Sequence, residues 1–301
     1  MPIPSPSLVA LASSGGGSAF PRRSVLAGMA AIAAGTLATP SARAESAGGV
    51  CTFGVFPYLP ALKLERLFAP VAVEFARILG TDVQLKSKET FEAFTEELRH
   101  GRYDIVLVHP FLFVEASAGQ GYLPSMRVSG DLRAVLLARE PGKVQSLEAY
   151  RGHTLALPPK LSAVSYLIAA ALIDSGLRPN ADVMLRHYPD KVSCLHAVAT
   201  NEVAACAVPS FIVGQLPAIA QMELHPVWQS APVTNLVFAL HPKMPADARA
   251  RLGAAMASWS STVEGRALLA HLEWPGLVPA ADADFAAIRA LGNRLSAYAA
   301  R

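Results

Sequence analysis

The sequence predicts an α/β fold. Short apolar runs alternate along the chain with longer amphipathic segments of helical spacing, and this alternation is typical of α/β domains. The run Asp104–Val108 (DIVLV) is apolar at every position after the aspartate, as expected of a strand buried on both faces of a parallel sheet. No internal repeat or long linker interrupts the pattern. We therefore expect strands and helices to alternate from about residue 50 to residue 299, in parallel sheets.

The predicted strands are short runs rich in apolar and β-branched residues. In chain order they are Val50–Val55, Val83–Leu85, Asp104–Val108, Val135–Ala138, Thr154–Leu157, Val183–His187, Ala204–Val208 and Asn235–Leu240. The predicted helices have apolar residues at helical spacing, and they are Leu64–Leu79, Phe91–Leu98, Leu161–Ser175, Lys191–Thr200, Ala246–Ser260 and Asp282–Ala299. Pro70 lies inside the first of these helices and lacks a backbone N–H, so we expect that helix to kink or restart there.

Residues 1–44 have the features of a cleavable export signal. The arginine pair Arg22-Arg23 precedes a moderately apolar stretch that runs to about Leu37, and the segment ends in Ala42-Arg43-Ala44. The apolar stretch is too short and too rich in alanine and glycine to span a membrane stably. The adjacent arginines favour the twin-arginine route, with general secretion as the alternative. We expect cleavage near Ala44 and a periplasmic protein.

The charge of the mature chain excludes some classes of partner. The whole chain has 26 basic and 23 acidic residues, and the predicted signal contains three arginines and no acid. The mature chain is therefore balanced in charge and offers no electrostatic attraction for nucleic acid or an anionic membrane. We expect no nucleic-acid partner.

The chain has three cysteines, Cys51, Cys194 and Cys206. In an oxidising compartment one pair can form a disulfide and leave one thiol over. Cys194 and Cys206 lie 12 residues apart, across a predicted helix and strand, and are the favoured pair. The spacing of the cysteines does not match a zinc site, and we expect no metal or cofactor.

The stretch PPKLSAVSYL, residues 158–167, places two serines where an apolar helix begins. Ser162 is predicted to be the N-cap of a helix over Ala163–Asp174, with Leu161 and Tyr166 at the two positions of a hydrophobic staple. The start of a helix has backbone N–H groups without partners and carries partial positive charge. Ser162 and Ser165 therefore either cap the helix alone or also hold a bound anion.

Other polar residues also follow predicted strands. In open α/β sheets, ligands bind beyond the carboxyl ends of the strands. Some of these residues are also explained by a purely structural role. Tyr58 fits a packing aromatic residue, His109 a buried hydrogen-bonded histidine, and Lys191 a solvated lysine. The candidate ligand-binding residues are Tyr58, His109, Ser162, Ala163, Ser165, His187 and Lys191.

Five segments occur in an order that resembles a known family. They are Phe53–Tyr58 (FGVFPY), Gly101–Val106 (GRYDIV), Gly121-Tyr122, Leu161–Tyr166 (LSAVSY) and Glu202–Val208 (EVAACAV). Together they resemble the phosphate/phosphite/phosphonate-binding proteins of ABC transporters, over roughly residues 50–240. The resemblance implies a type II periplasmic binding protein fold, with two α/β lobes, two hinge crossings and a ligand cleft between the lobes.

The resemblance also implies where the lobes and the crossings lie. We expect residues 50–136 with 235–301 to form the first lobe and residues 137–234 the second. The crossings are expected near Val135–Arg139 and Val233–Leu240. A monomer is expected.

The resemblance further implies roles for the candidate residues. Ser162 and Ser165 match the hydroxyl donors to the oxyanion, together with helix N–H groups such as that of Ala163. Tyr58 matches a residue that contributes from the opposite lobe, and His109 stands at the cleft-facing end of its strand. Lys191 falls where the family often has a histidine. The stretch His187–Lys191 departs from the family pattern, which leaves open whether the ammonium group of an aminophosphonate is recognised.

We therefore expect a binding protein, not an enzyme, that delivers a small oxyanion to an ABC permease. Phosphonate, phosphite and phosphate are the first candidates, with sulfonate, nitrate and arsenic oxyanions as alternatives. A sensor that reports ligand occupancy to a membrane receptor has the same cleft chemistry. A secreted hydrolase is the third alternative, although the chain has neither a Gly-x-Ser-x-Gly elbow nor a His-Glu-x-x-His zinc helix.

Overall fold

Two mixed β-sheets with helices on their faces make up the computed structural model, which describes residues 50–139, 146–213 and 224–300. The predicted export signal at residues 1–44 lies outside the described residues. The strands are β1 Cys51–Val55, β2 Val83–Lys86, β3 Ile105–Val108, β4 Leu123–Val128, β5 Asp131–Leu132, β6 Ala134–Ala138, β7 Thr154–Leu157, β8 Met184–His187, β9 Ala205–Pro209, β10 His225–Gln229, β11 Val233–Thr234, β12 Val237–Leu240 and β13 Leu277–Pro279.

Helices follow most of these strands. They are α1 Ala61–Leu79, α2 Phe91–Arg99, α3 Pro110–Gln120, α4 Ala163–Asp174, α5 Lys191–Ala199, α6 Ser210–Val213, α7 Ala246–Ala257, α8 Val263–His271 and α9 Ala286–Ala299, with 3₁₀ turns at Leu147–Tyr150 and Asp282–Phe285. The alternation of strands and helices confirms the predicted α/β class.

The expectation of parallel sheets is wrong, because both sheets are mixed. The first has the order β13-β4-β12-β3-β1-β2, in which only the β2–β1 and β1–β3 pairs are parallel. Strand β12 lies antiparallel to both β3 and β4. The second has the order β10-β6-β9-β7-β8, in which the β9–β7 and β7–β8 pairs are parallel and the β10–β6 and β6–β9 pairs are antiparallel. Alternating strands and helices predict the parallel core of each sheet but not the strands added to it by long-range crossings.

Helix α1 runs unbroken through Pro70. Of the two expected outcomes at this proline, a kink or a restart of the helix, the restart does not occur. A proline at this position removes the hydrogen bond to the carbonyl of Arg66, four residues earlier. The ring nitrogen Nε2 of His271, on α8, lies 3.2 Å from that carbonyl oxygen and can donate to it. The tertiary contact therefore replaces the bond that Pro70 cannot make.

The last helices also differ from expectation. The helix predicted over Ala246–Ser260 ends at Ala257, and α8 was not predicted. The hydroxyl of Thr262 caps α8 by accepting from the N–H of Gly265. A Cβ at Gly265 would lie 2.2 Å from Trp259 Cα, so only glycine allows the chain to turn this closely. The helix predicted over Asp282–Ala299 begins with a 3₁₀ turn and becomes α-helical at Ala286.

Each sheet has its own apolar core. In the first, aromatic side chains pack edge to face between α1 and the sheet, with Phe53 and Phe75 centroids 5.2 Å apart and Phe75 and Phe238 5.8 Å apart. The second sheet is apolar on both faces. Leu155 and Leu157 face α4, and Ala156 and Cys206 face the side of α5. Two separate cores agree with a fold of two lobes.

The chain crosses between the sheets twice, and the two crossings pair with each other. Strand β5 follows β4 of the first sheet, and β11 precedes β12 of the same sheet. They form a two-stranded antiparallel ribbon in which Val233 pairs with Leu132 and Thr234 with Asp131. Strand β6 lies wholly in the second sheet, so the first crossing precedes Ala134, slightly before the expected segment Val135–Arg139. The exact lobe boundaries stay a prediction.

A disulfide joins Cys194 of α5 to Cys206 of β9, which confirms the favoured pairing. The two Cα atoms are 5.7 Å apart, within the normal range for a disulfide. Cys51 is a buried free thiol, and burial, followed by the charge of Asp104, raises its pKa to about 12. The disulfide therefore ties the helix that begins at Lys191 to the middle of the second sheet.

His109 links the two lobes directly. It caps α3, with its ring Nδ1 accepting from the N–H of Leu112 at 3.4 Å. Its Nε2 therefore bears the hydrogen and donates to the carbonyl oxygen of Leu161, 2.9 Å away, just before α4. Burial lowers the pKa of His109 to about 3, an effect that the bond to Leu161 partly offsets. Its ring is surrounded by the aromatic side chains of Phe56, Phe91, Phe111 and Tyr166.

Removing the disulfide by the double substitution Cys194→Ala/Cys206→Ala should lower the free energy of unfolding by about 3 kcal/mol, the loop-closure value for a loop of this length. Urea unfolding of the mature protein measures this loss. Cys51→Ala is the matched control, because it removes a cysteine that is not cross-linked. Three reactive thiols in the unreduced, denatured protein would contradict the disulfide.

Acid should destabilise the fold through His109. Its folded pKa is lower than its unfolded pKa, so the unfolded chain binds the proton more readily and stability falls as pH drops from about 6.5 towards 3. The slope from this group approaches about 1.4 kcal/mol per pH unit. In His109→Asn this contribution disappears, so the stability difference between wild type and variant should narrow on acidification. Thermal unfolding at a series of pH values measures this difference, with the exposed His153→Asn as the control. A stability difference that stays constant with pH would disprove the assignment.

Candidate functional site

The start of α4 is built as its sequence predicts. Ser162 is the N-cap, and the helix covers Ala163–Asp174. The Oγ of Ser162 accepts from the backbone N–H of Ser165 at 3.2 Å. Ala163 and Val164, the first two helical residues, have N–H groups without an acceptor inside the helix, as at every helix start. The first turn contains no acidic residue, so its partial positive charge is not neutralised by its own side chains.

The two serine hydroxyls form a short relay within the loop. The hydroxyl of Ser162 donates to Ser165 Oγ at 3.1 Å. The hydroxyl of Ser165 lies 3.1 Å from the carbonyl oxygens of both Pro158 and Pro159 and can donate to either. Both serines are buried. The predicted N-cap hydrogen bond is therefore present. The Ser165 hydroxyl can donate to an anion only if it gives up its hydrogen bond to the proline carbonyls.

His187 is brought to the same loop by strand pairing. Strands β7 and β8 are parallel, with Leu157 opposite His187, so the ends of both strands lie side by side. The Nδ1 of His187 lies 2.8 Å from the carbonyl oxygen of Pro158, to which it can donate. The ring is largely exposed. His187 therefore supports the serine loop and leaves its second ring nitrogen towards solvent.

Lys191 is the first residue of α5, after the N-cap Asp190. Its side chain is half-buried, and burial is the main cause that lowers its pKa. The charge of Lys63 lowers it further, whereas the charge of Glu273 raises it. Lys63 lies in the first turn of α1 and Glu273 follows α8, so both come from the first lobe. A cation of the second lobe thus faces charges of the first.

Lys63 and Glu273 are not among the candidate residues predicted from the sequence. Lys63 lies in the first turn of the helix that follows β1, so the rule that ligands bind beyond strand ends was a signal for it. Glu273 has a positive φ of 56° in the turn after α8. That turn follows no strand, and its position near Lys191 depends on tertiary packing that no local pattern shows.

Tyr58 lies between β1 and α1. Its ring stacks on Phe56 with centroids 4.8 Å apart and meets Phe68 edge to face at 6.3 Å. Burial raises the pKa of its hydroxyl well above the usual value, so it remains a hydrogen-bond donor at neutral pH. Within the described residues this hydroxyl makes no hydrogen bond. Tyr58 therefore offers an open donor on a ring held by packing.

His109 has no ring nitrogen left for a ligand, because both take part in the hydrogen bonds to Leu112 and Leu161. It positions the other candidates instead. Phe56 stacks on Tyr58 and meets His109 edge to face at 5.5 Å, and His109 then bonds to the residue before Ser162. This chain of contacts joins the Tyr58 segment of the first lobe to the serine loop of the second.

Two surface cavities, of about 1230 and 390 Å³, lie along β2 at the outer edge of the first sheet. The seven candidate residues line neither of them. The part of the chain that the structure describes contains no cluster of histidine, cysteine and acidic residues suited to a metal ion. No helix in the described ranges is long and apolar enough to cross a bilayer.

Comparisons with solved structures agree on the fold. A binding protein component of an ABC phosphonate transporter from Pseudomonas aeruginosa has a TM-score of 0.69 at 16% identity, over 81% of this chain and 85% of that one. PhnD1 of Prochlorococcus marinus, solved with methylphosphonate, has a TM-score of 0.74 at 12% identity, over 82% and 98%. A Xanthomonas citri protein solved with ATP has 0.70 at 15%, over 83% and 98%. At these identities the likeness shows the fold, a type II periplasmic binding protein.

Comparison with curated protein sequences finds no match. A family model described as "ABC transporter, phosphonate, periplasmic substrate-binding protein" matches residues 53–285, which is more than half of the chain. Members of this family are periplasmic substrate-binding proteins that serve a membrane transporter, and they are not classed as enzymes. The chain belongs to this phosphonate-binding family of ABC-transporter substrate-binding proteins.

Proposed function

We propose that the protein captures a small oxyanion of the phosphonate, phosphite or phosphate class and delivers it to the permease of an ABC transporter. The observation that carries the proposal is the start of α4. It presents the N–H groups of Ala163 and Val164, two serine hydroxyls and no acidic side chain in its first turn. Export through the signal at residues 1–44 and a monomeric state belong to the same proposal.

The charge near the site supports an anionic ligand. Lys191 and Lys63 are like charges within electrostatic reach, and Lys191 is half-buried. Partial burial of a cation is unfavourable unless an opposite charge accompanies it. Glu273 supplies part of that charge. A bound oxyanion between the lobes would supply the rest and would offset the repulsion between the two lysines.

The two crossings support binding by lobe closure. Tyr58 and Lys63 belong to the first lobe, whereas the serine loop and Lys191 belong to the second. The lobes are joined through the β5–β11 ribbon, and His109 bonds to Leu161 between them. A ligand held by groups of both lobes binds the closed form more tightly and shifts the population towards it.

The charges also favour a ligand without an ammonium group. Lys191 and Lys63 would repel the ammonium of an aminophosphonate, and Glu273 is the one carboxylate within electrostatic reach of Lys191 that the described residues reveal. PhnD1 of Prochlorococcus marinus is similar in fold and was solved with methylphosphonate, which has no such group. We therefore take methylphosphonate as the first probe.

Ser165→Ala should weaken methylphosphonate binding by about two- to thirtyfold. The serine hydroxyl gives up a neutral hydrogen bond to a proline carbonyl, about 1 kcal/mol, to form a charge-assisted one of about 1.5–3 kcal/mol. The difference is about 0.5–2 kcal/mol, where 1.4 kcal/mol is tenfold. Isothermal titration calorimetry of the purified mature protein measures the dissociation constant.

Ser162→Ala is the matched comparison for this experiment. It removes the cap that accepts from Ser165 N–H and should lower the free energy of unfolding by about 1 kcal/mol. Ser165→Ala keeps that cap, because the bond uses the backbone of Ser165. If methylphosphonate affinity is unchanged in Ser165→Ala, the serines are caps alone and the anion does not bind here.

Selectivity against aminophosphonates should depend on the two lysines. We expect 2-aminoethylphosphonate to bind about tenfold more weakly than methylphosphonate, since like charges near a protein surface cost on the order of 1 to a few kcal/mol. Lys63→Gln should narrow this ratio, and Lys191→Gln should weaken both ligands by about tenfold or more. Lys160→Gln, an exposed lysine beside the serine loop, is the control. Tighter binding of the aminophosphonate by wild type would show instead that Glu273 receives an ammonium group.

A further inference from the structure

A basic pocket, distinct from the proposed cleft site, lies on the outer edge of the first lobe. It has a volume of about 390 Å³, and its lining residues are Leu85, Lys86, Ser87, Lys88, Glu97, Arg102 and Tyr103. The pocket lies beside β2, the last strand of the first sheet, between that strand and the residues of α2 and of the turn before β3. None of its lining residues belongs to the proposed cleft site.

The ring of Tyr103 extends across the sheet towards this pocket. Tyr103 precedes β3, and its ring packs directly over the backbone of Gly54 in β1. A Cβ atom added to Gly54 would lie only 2.6 Å from the Cγ of Tyr103. Phe94 stacks on the ring, with centroids 5.0 Å apart. Strand β1 lies between β3 and β2, and Lys86 of β2 is the partner of Gly54. A ring that starts beside β3 and covers Gly54 therefore directs its hydroxyl towards β2 and Lys86.

The hydroxyl of Tyr103 has no partner. The residue is 1% exposed, and within the described ranges no group accepts from or donates to this oxygen. Buried hydroxyls nearly always make a hydrogen bond, so an unpartnered one needs an explanation. By comparison, the Tyr122 hydroxyl donates to the carbonyl oxygen of Tyr103 itself.

The charges around the pocket are mainly positive. Three of its lining residues are basic and one is acidic. Lys88 pairs with Glu97 at 3.2 Å, and both side chains are 38% exposed, so the pair is free to rearrange. Lys86 and Arg102 make no ion pair within the part of the chain that the structure describes. The pocket therefore keeps two uncompensated cations next to an unused hydroxyl donor.

We propose that this pocket is an auxiliary binding site for a small dianionic oxyanion of the phosphate type. Lys86 and Arg102 supply the charge, and Lys88 turns from Glu97 to the anion. Rearrangement of the exposed Lys88–Glu97 pair gives the anion access to the Tyr103 hydroxyl, which donates to one of its oxygens. The site is separate from the cleft and does not depend on the transported ligand.

Inorganic phosphate is the probe, and calorimetric titration measures its binding. The parent protein is the mature chain with Ser165→Ala/Lys191→Gln, which weakens the cleft. We expect this parent to bind phosphate, and Tyr103→Phe or Lys86→Gln/Arg102→Gln in the same background to weaken that binding about tenfold or more. Lys243→Gln, an exposed lysine of the same lobe outside the pocket, should leave it unchanged.

The decisive comparison is between the parent and Tyr103→Phe, because this substitution removes only a hydroxyl oxygen that makes no hydrogen bond. Its melting temperature without phosphate should therefore equal or exceed that of the parent, and phosphate should raise the melting temperature of the parent more than that of the variant. Equal phosphate affinity in the two proteins, or no phosphate binding by the parent, would overturn the proposal. Failure of the cleft assignment is recognised separately, as unchanged methylphosphonate affinity on introducing Ser165→Ala/Lys191→Gln into the wild type.

Discussion

The return of β12 into the first sheet is the constraint on which the rest of the structure depends. Its residues Val237–Leu240 pair antiparallel with Ile105–Val108 of β3 and also with β4, so residues more than a hundred positions apart form the centre of one sheet. A chain that leaves the sheet after β4 and returns at β12 must cross twice. The two crossings then lie side by side as the β5–β11 ribbon. The two-lobe architecture and its hinge therefore follow from a single strand insertion.

This arrangement brings the carboxyl ends of the parallel strands of the first sheet close to those of the second sheet. His109 follows β3, and Leu161 follows β7, and their hydrogen bond of 2.9 Å shows that these ends meet. Helix starts follow the same strand ends, so N–H groups and partial positive charge gather there without any dedicated ligand residue. Lys191 and Lys63 add full positive charges, and the proposed anion site rests on these charges as well as on the backbone.

The buried polar groups near the proposed sites differ in whether they already have hydrogen-bond partners. His109 uses both ring nitrogens, and the serine relay uses both hydroxyls, so these groups hold the unliganded structure together. By contrast, the buried hydroxyl of Tyr103 has no partner among the described residues. A satisfied group can reach a ligand only by giving up its present partner, as the Ser165 hydroxyl must give up the proline carbonyls. An unpartnered buried hydroxyl can bind a ligand without that loss.

Local patterns determined much of this protein before any tertiary information. The cap at Ser162, the bounds of α4 and β7 and the short parallel strands followed from residue type and spacing, because caps and buried apolar runs depend on neighbours within a few positions. Strands β4, β10 and β13 were not predicted from the sequence, since each contains a proline or several polar residues. Such strands form because neighbouring strands pair with them. Only the tertiary structure decided that His109 is a link between the lobes, and that Lys63 and Glu273 lie near Lys191. Those relations depend on sheet pairing and lobe contacts between distant residues, which sequence spacing does not encode.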